Sequence, residues 1–234
     1  MKQFLQNQKN LVQNVFNDVY DKYDLMNDFM SLGIHRLWKK DLIMMMSPYT
    51  NKKLIDVGCG TGDIGQLFLN TVKFKGSVYN VDPNKKMLDQ GKKRFKNLDN
   101  ISWHIGNAEN LKFKSNLFDY YTISFGLRNT KDISKSLKEA HRVLKPGGRF
   151  LCLEFSKISN SNLNFLYKNY SKIIPKVGKL IVGKSEPYEY LIKSIDKFIN
   201  QNQLVELMNK NGFENCKYRD LSGGIVSIHS GWKV

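Results

Sequence analysis

Between residues 53 and 155 the apolar positions fall in short runs separated by stretches with helical spacing. Leu54, Ile55 and Val57 form the first run, glycines 58, 60 and 62 follow it, and Ile64, Leu67 and Phe68 then recur on one helical face. That order predicts a buried strand, a glycine turn and a helix over 53–72. A second strand, Ser77–Val81, ends at Asp82, with Pro83 set for the first turn of a helix. Ile101, Trp103 and Ile105 alternate as a third strand, which ends at Gly106-Asn107-Ala108-Glu109, and Phe118–Phe125 reads as a fourth. Ile133, Leu137, Ala140 and Leu144 mark a helix over 132–144; Lys145-Pro146-Gly147-Gly148 predicts a helix stop followed by a turn, and Arg149–Phe155 a fifth strand. Strands alternating with helices in this rhythm imply an α/β fold, a parallel sheet with helices on both faces.

The flanks follow other patterns. Residues 8–46 read as helical: Leu11, Val15 and Val19 mark one face, and Ile34, Leu37, Asp41 and Met45 suggest another helix after Gly33. Between them Tyr23-Asp24-Leu25-Met26-Asn27-Asp28 mixes aromatic and polar residues in a way unusual for a plain connector. Residues 158–198 are lysine-rich and broken by Pro175, Gly178, Gly183 and Pro187, a pattern of short helices. A helix from about 201 to 211, capped by Gly212, precedes two strand-like runs, 213–219 and 224–230, joined at Ser222-Gly223-Gly224 as an antiparallel hairpin. Repeats and linkers are absent from the sequence. The expected organisation is a single domain over 1–234, with an N-terminal helical cap (1–48), a cofactor-binding core (49–156), a helical lid (157–200) and a last helix with the terminal hairpin (201–234).

Composition narrows the class. With 41% hydrophobic residues in 234, the chain has enough apolar mass for a substantial core, and no apolar run approaches the roughly 18 residues of a membrane span. Met1–Val12 carries neither an export signal nor a transit-peptide pattern, so a cytoplasmic location, or an organellar matrix, is expected. Cys59, Cys152 and Cys216 have no pairing or metal spacing and read as reduced thiols; four scattered histidines argue against a metal site. The net charge of +16 has two readings, a solvated lysine-rich surface or an anionic partner such as nucleic acid or a membrane.

The glycine turn admits two cofactors. Gly58-x-Gly60-x-Gly62 suits S-adenosylmethionine, whereas Gly60-x-Gly62-x-x-Gly65 formally satisfies the dinucleotide fingerprint. Asp82 stands where either needs a carboxylate for its ribose hydroxyls. Three features favour S-adenosylmethionine. Asn107-Ala108, after the third strand, offers an amide and a backbone N–H to an adenine edge. Asp56, inside an apolar strand, is costly to bury unless it fixes the loop or receives a cofactor ammonium. The terminal hairpin replaces the second mononucleotide-binding half expected of a dinucleotide enzyme.

Several longer segments are specific. They are Val15-Phe16-x-x-Val19-x-x-x-Tyr23-Asp24-x-Met26-Asn27-Asp28, Met30-Ser31-x-Gly33-x-His35-Arg36-x-Trp38-Lys39, Gly60-Thr61-Gly62-Asp63 and Asn107-Ala108-Glu109. Further along come Thr122-Ile123-Ser124-Phe125-Gly126-Leu127-Arg128-Asn129, Arg142-Val143-Leu144-Lys145-Pro146-Gly147-Gly148-Arg149, Leu153-Glu154-Phe155-Ser156-Lys157, and Gly223-Gly224-Ile225-Val226 with His229. Through them the chain resembles, over nearly its whole length, the ubiquinone/menaquinone biosynthesis C-methyltransferase family. The resemblance implies a Rossmann-like class I methyltransferase with a seven-stranded sheet ordered 3-2-1-4-5-7-6. It also implies methylation of a ring carbon on a polyprenylated benzoquinol or demethylmenaquinol, with cofactor contacts at Thr61, Asp82, Asn107, Ala108 and Ser124.

The chemistry sets further expectations. Methyl transfer from a sulfonium is an in-line displacement, and a quinol carbon becomes nucleophilic when its neighbouring hydroxyl ionises; a free phenol has a pKa of roughly 10. Arg128, after the fourth strand, is the candidate to stabilise that oxyanion, with Asn129 orienting it, and His35 is the candidate proton acceptor. Tyr23 and Phe125 are candidates to face the sulfonium; Tyr23, Tyr188 and Tyr190 are candidates to line a substrate channel. Residues 157–197 carry eight lysines against three acids, suggesting a basic flap in peripheral contact with an anionic membrane. Other quinone-biosynthesis enzymes and a second copy of the chain are compatible protein partners. Nucleic acid is not, because the Asn/Asp-Pro-Pro-Tyr/Phe loop of base N-methylation is replaced by Ser124-Phe125-Gly126-Leu127. The rival readings are a nucleic-acid or other small-molecule methyltransferase, and a basic scaffold that keeps the fold without catalysis.

Overall fold

A computed structural model describes residues 31, 33–167, 169–170 and 186–234. They belong to two compact units, one comprising Met1–Arg36 with Ile158–Phe198, the other Leu37–Lys157 with Ile199–Val234. In the first, a helical stretch begins at residue 161 and helix α5 runs Glu186–Lys197 with Tyr188 and Leu191 buried.

The second unit holds the sheet. Its strands are β1 (Lys52–Val57), β2 (Gly76–Asp82), β3 (Ile101–Ile105), β4 (Phe118–Ser124), β5 (Leu144–Phe155), β6 (Phe213–Leu221) and β7 (Val226–Lys233), in the order β3-β2-β1-β4-β5-β7-β6. The first five strands pair in parallel; β7 runs antiparallel between β5 and β6. The helices among the described residues of this half are α1 (His35–Met46, whose first two residues are counted in the first unit), α2 (Asp63–Thr71), α3 (Lys85–Arg94), α4 (Ile133–Val143) and α6 (Gln201–Lys210). Alternation along the strands gives each face its own core. On one face Val78 meets Gly65 of α2. On the other Tyr79 stacks edge-on against Phe113 and Phe118, while Tyr121, Phe150 and Phe213 continue the aromatic layer to His141 of α4.

The helix expected after Gly33 is present as α1. The face of α1 that is buried carries Trp38, Leu42, Ile43 and Met46, whereas Ile34 and Leu37 are exposed and Asp41 and Met45 only half-buried. Large apolar residues lie on the exposed side too, Leu37 and Met44 among them, so periodicity alone does not choose the buried face; anchors at the helix ends choose instead. Near its start the Trp38 indole donates to Ser222 Oγ (2.9 Å), with its ring 6.3 Å from Phe125 and 6.4 Å from Phe155. At its end Arg149 donates to the carbonyls of Met45 and Met46, satisfying groups that a helix terminus leaves open. The helix thus descends from the carboxyl edge of β4 and β5 towards the amino end of β5.

One sequence expectation is corrected, that of Lys145-Pro146-Gly147-Gly148 as a turn between α4 and β5. The strand starts at Leu144 directly after the helix, and these residues form its irregular first part. A Cβ on Gly148 would lie 2.7 Å from the carbonyl of Lys145, so only glycine permits the path. The terminal hairpin is present, but longer and shifted: β7 extends to Lys233, with Arg149 opposite Trp232.

Candidate active site

The site forms at the carboxyl ends of β1, β2 and β4, where open α/β sheets bind ligands. Gly58 and Cys59 donate backbone N–H groups to Val81 O at 2.8 and 3.1 Å, tying the loop to β2. Asp82 then takes Gly60 N–H on one oxygen (2.9 Å) and Asn84 N–H on the other (2.8 Å). Gly62 caps α2 in the left-handed region (φ 90°) and offers no side chain to the helix's first amides. A Cβ there would stand 2.6 Å from Trp103. Gly65, the third glycine of the dinucleotide pattern, serves helix–sheet packing: its Cβ would meet Val78 at 2.8 Å.

Asp56 is fully buried. Thr122 Oγ1 donates to its Oδ1 (2.8 Å), while Oδ2 has no hydrogen-bond partner among the described residues. Burial pushes its carboxyl up to about 7, and pushes that of Asp82 up to about 6 against the pull of its two backbone donors. Beyond the loop Asp63, the first residue of α2, is flanked by Lys39 (2.7 Å) and Arg94 (2.5 Å), and burial's upward push is overcome, leaving it at about 2. Asn107 follows β3 and bridges to Asn110; Ala108 beside it is buried. Ser124 ends β4, its Oγ buried and without a partner among the described residues.

After β4 the chain passes through Phe125 at φ 55°, a conformation costly for an aromatic residue, and Gly126, whose Cα lies 3.8 Å from the position of a Cβ on Gly58. Arg128 sits on a short 3-10 turn, Leu127–Asn129. Its guanidinium donates to Phe125 O (2.6 Å) and to Glu154 Oε1 (2.7 Å), and the ion pair is almost fully buried, 5% and 1% exposed. Asn129 Nδ2 also reaches Phe125 O, at 3.4 Å. Two side chains therefore donate to the carbonyl of this left-handed residue, and Glu154 holds one of them in place.

The structure brings Asp56, Gly58, Gly60, Thr61, Gly62, Asp82 and Ser124 to one edge of the sheet, flanked by Asn107-Ala108 after β3 and Arg128-Asn129 after β4. His35, whose backbone N–H donates to Ser31 Oγ (3.2 Å), is buried in the other unit with Tyr188, and Tyr190 is half-buried there. Tyr23 lies outside the described residues. Sequence reasoning missed Lys39 and Glu154. A signal existed for Glu154: like Asp56, it is a carboxylate inside an apolar strand, between Leu153 and Phe155.

The residues fit S-adenosylmethionine. Asp56 Oδ2 is a buried acceptor awaiting a cation, α2 opens with amides that no side chain caps, and Asp82 presents a carboxylate at the end of β2. A seven-stranded sheet of this order closed by an antiparallel hairpin, with such a loop, defines a class I S-adenosylmethionine-dependent methyltransferase. Within that class the chain belongs to the ubiE/COQ5 methyltransferase family, whose model matches residues 2–233. It is 48% identical over 233 residues to the ubiquinone/menaquinone biosynthesis C-methyltransferase UbiE of Rickettsia bellii, covering 97% of this chain and 94% of that one. Among solved structures it resembles a SAM-dependent methyltransferase from Thermotoga maritima (TM-score 0.67, 22% identity, 95% of this chain and 99% of that one). It also resembles a chain of the Haloferax volcanii complex of a methyltransferase with its Trm112 activator (TM-score 0.70, 16% identity, 94% and 96%). These two likenesses speak for the fold alone.

Proposed function

We propose that this chain transfers a methyl group from S-adenosylmethionine to a ring carbon of a prenylated quinol in ubiquinone or menaquinone formation. The observation that carries the reading, beside family membership, is the contact between Gly58 and Gly126, which sets the Arg128 turn directly beside the cofactor loop. S-adenosylmethionine supplies an electrophilic methyl on a sulfonium. Asp82 holds the ribose, Asn107 and Ala108 the adenine, Thr61 and Ser124 the remaining polar edge, and Asp56 the ammonium. Arg128, fixed by Glu154, stabilises the phenolate that activates the ring, and Asn129 helps hold the Phe125 carbonyl on which that placement depends. The test is methyl transfer to short-tailed acceptors offered in both redox states. The quinol should accept label and the quinone should not, because only the quinol can form the phenolate; equal labelling of both would overturn the reading.

The same reading includes peripheral contact with an anionic membrane, since a prenylated quinol resides in lipid. No helix among the described residues is long and apolar enough to cross one. Support comes from the eight lysines of residues 157–197 and from Phe165 and Leu166, 66% and 64% exposed on the same stretch. Co-sedimentation with anionic vesicles, lost in high salt, is the expected result; no co-sedimentation in low salt would refute it.

A further inference from the structure

The surroundings of Lys39 are unusual. It lies one residue beyond Trp38, at the end of α1 that meets the carboxyl edge of the sheet. Its side chain is 11% exposed, and its ammonium, with three protons to give, has one hydrogen-bond partner among the described residues, Asp63 Oδ2 at 2.7 Å. Asp63 does not need it. Its other oxygen is already paired with Arg94, which Gln66 holds in turn at 3.1 Å. Two cations over one carboxylate leave a surplus positive charge, and the desolvated member of the pair is the lysine, since Arg94 is 43% exposed. A buried ammonium with unfilled donors is costly unless an acceptor arrives.

The surplus faces a suitable place. Asp63 opens α2, whose nine residues begin at a glycine cap with no side-chain acceptor, so the helix's positive end is open to an anion. Asp56, whose buried Oδ2 has no partner among the described residues, is near enough for the charge of Lys39 to act on it. A cationic group and an open helix end on one side, and a buried carboxylate on the other, form a complementary pair for a zwitterion. Asp82, the ribose carboxylate, holds Gly60 of the same loop. One loop therefore gathers charged partners for an amino acid and for a ribose.

We infer that Lys39, together with the uncapped N-terminus of α2, binds the carboxylate of the cofactor's amino-acid moiety, opposite Asp56 at its ammonium. This rests on the assignment of S-adenosylmethionine to the loop. The test measures calorimetric affinity of the full chain for S-adenosylmethionine and for decarboxylated S-adenosylmethionine, which differ only in that group. Wild type should prefer the carboxylated ligand. Lys39→Met should weaken it roughly 10- to 100-fold, the range of a charge-assisted hydrogen bond, while leaving the decarboxylated ligand within about twofold. Lys39→Arg should restore most of the preference, and Lys39→Gln, which keeps a donor for Asp63, serves if the methionine variant does not fold. Equal loss for both ligands would make Lys39 a structural residue, and an unchanged preference would place the carboxylate elsewhere; either overturns the inference. Wild type binding neither ligand would instead overturn the cofactor assignment beneath it.

Discussion

The Arg128–Glu154 pair allows a structural and a catalytic role to be separated. Arg128→Met leaves the Glu154 carboxylate 1% exposed and without its cation. Breaking one side of a buried pair costs about 3–5 kcal/mol. At about 2–4 °C per kcal/mol for a chain of this size, the melting temperature should fall by roughly 6–20 °C. Replacing both partners, Arg128→Met with Glu154→Leu, removes the stranded charge and should recover most of that loss, since apolar replacements of buried pairs are often neutral or better. Activity should not follow stability. If the guanidinium stabilises the phenolate, kcat stays down by about 10²-fold or more in both variants, the scale of a lost oxyanion donor. Thermal melts and methyl-transfer kinetics on the three proteins decide the matter. Recovery of kcat together with stability would show that Arg128 acts only through packing, and an unchanged melt for Arg128→Met would refute the buried-pair argument.

Other expectations follow from the same geometry. Asp82→Ala removes the acceptor of both Gly60 and Asn84 N–H groups as well as the ribose contact, and should weaken S-adenosylmethionine by about 10²-fold or more in calorimetry, from bonds to a charged acceptor at about 1.5–3 kcal/mol each. For Asp56 the folded carboxyl, at about 7, lies above its ordinary 3.8. Its neutral form is therefore favoured in the ligand-free fold, and its contribution to stability is lost as pH rises from about 4 to about 7. Asp56→Asn should gain in melting temperature over wild type across that window. A cofactor ammonium beside it reverses the preference, so binding should release protons near pH 6, measured in buffers of different ionisation enthalpy, and Asp56→Asn should abolish much of the release. Gly91→Ala drives a Cβ into the Trp103 ring and sets it 3.0 Å from Thr61 O, so it should lower stability by about 1–3 kcal/mol and loosen cofactor binding together; an unchanged melt would contradict the packing.

Much of the fold was legible because parallel strands buried on both faces leave short apolar runs, and glycines mark the turns between them. Asp56 and Asp82 could be chosen from sequence for one physical reason: a carboxylate in or at the end of an apolar strand needs a purpose. The same reasoning applied to Glu154 would have found the partner of Arg128. The buried face of α1 was not legible, because Leu37 and Met44 are as apolar as Leu42 and Ile43; the choice depends on Arg149, over a hundred residues away, and on Ser222. Lys145-Pro146-Gly147-Gly148 misled because proline and glycine suggest a turn, while here they shape the irregular start of an inner strand. Lys39 left no local signal, since its meaning comes from Asp63 and Arg94 being assembled around it.

The central claim is carbon methylation of a quinol, and the most direct measurement is the position of the new methyl. The full chain is incubated with S-adenosylmethionine carrying a ¹³C-methyl group and with short-tailed benzoquinol and naphthoquinol acceptors, and the products are analysed by carbon NMR. An enriched resonance of a methyl bonded to a ring carbon, in at least one acceptor and lost in Asp82→Ala, is the result expected. A methoxy resonance, or no enrichment of either acceptor while the cofactor binds, would contradict it.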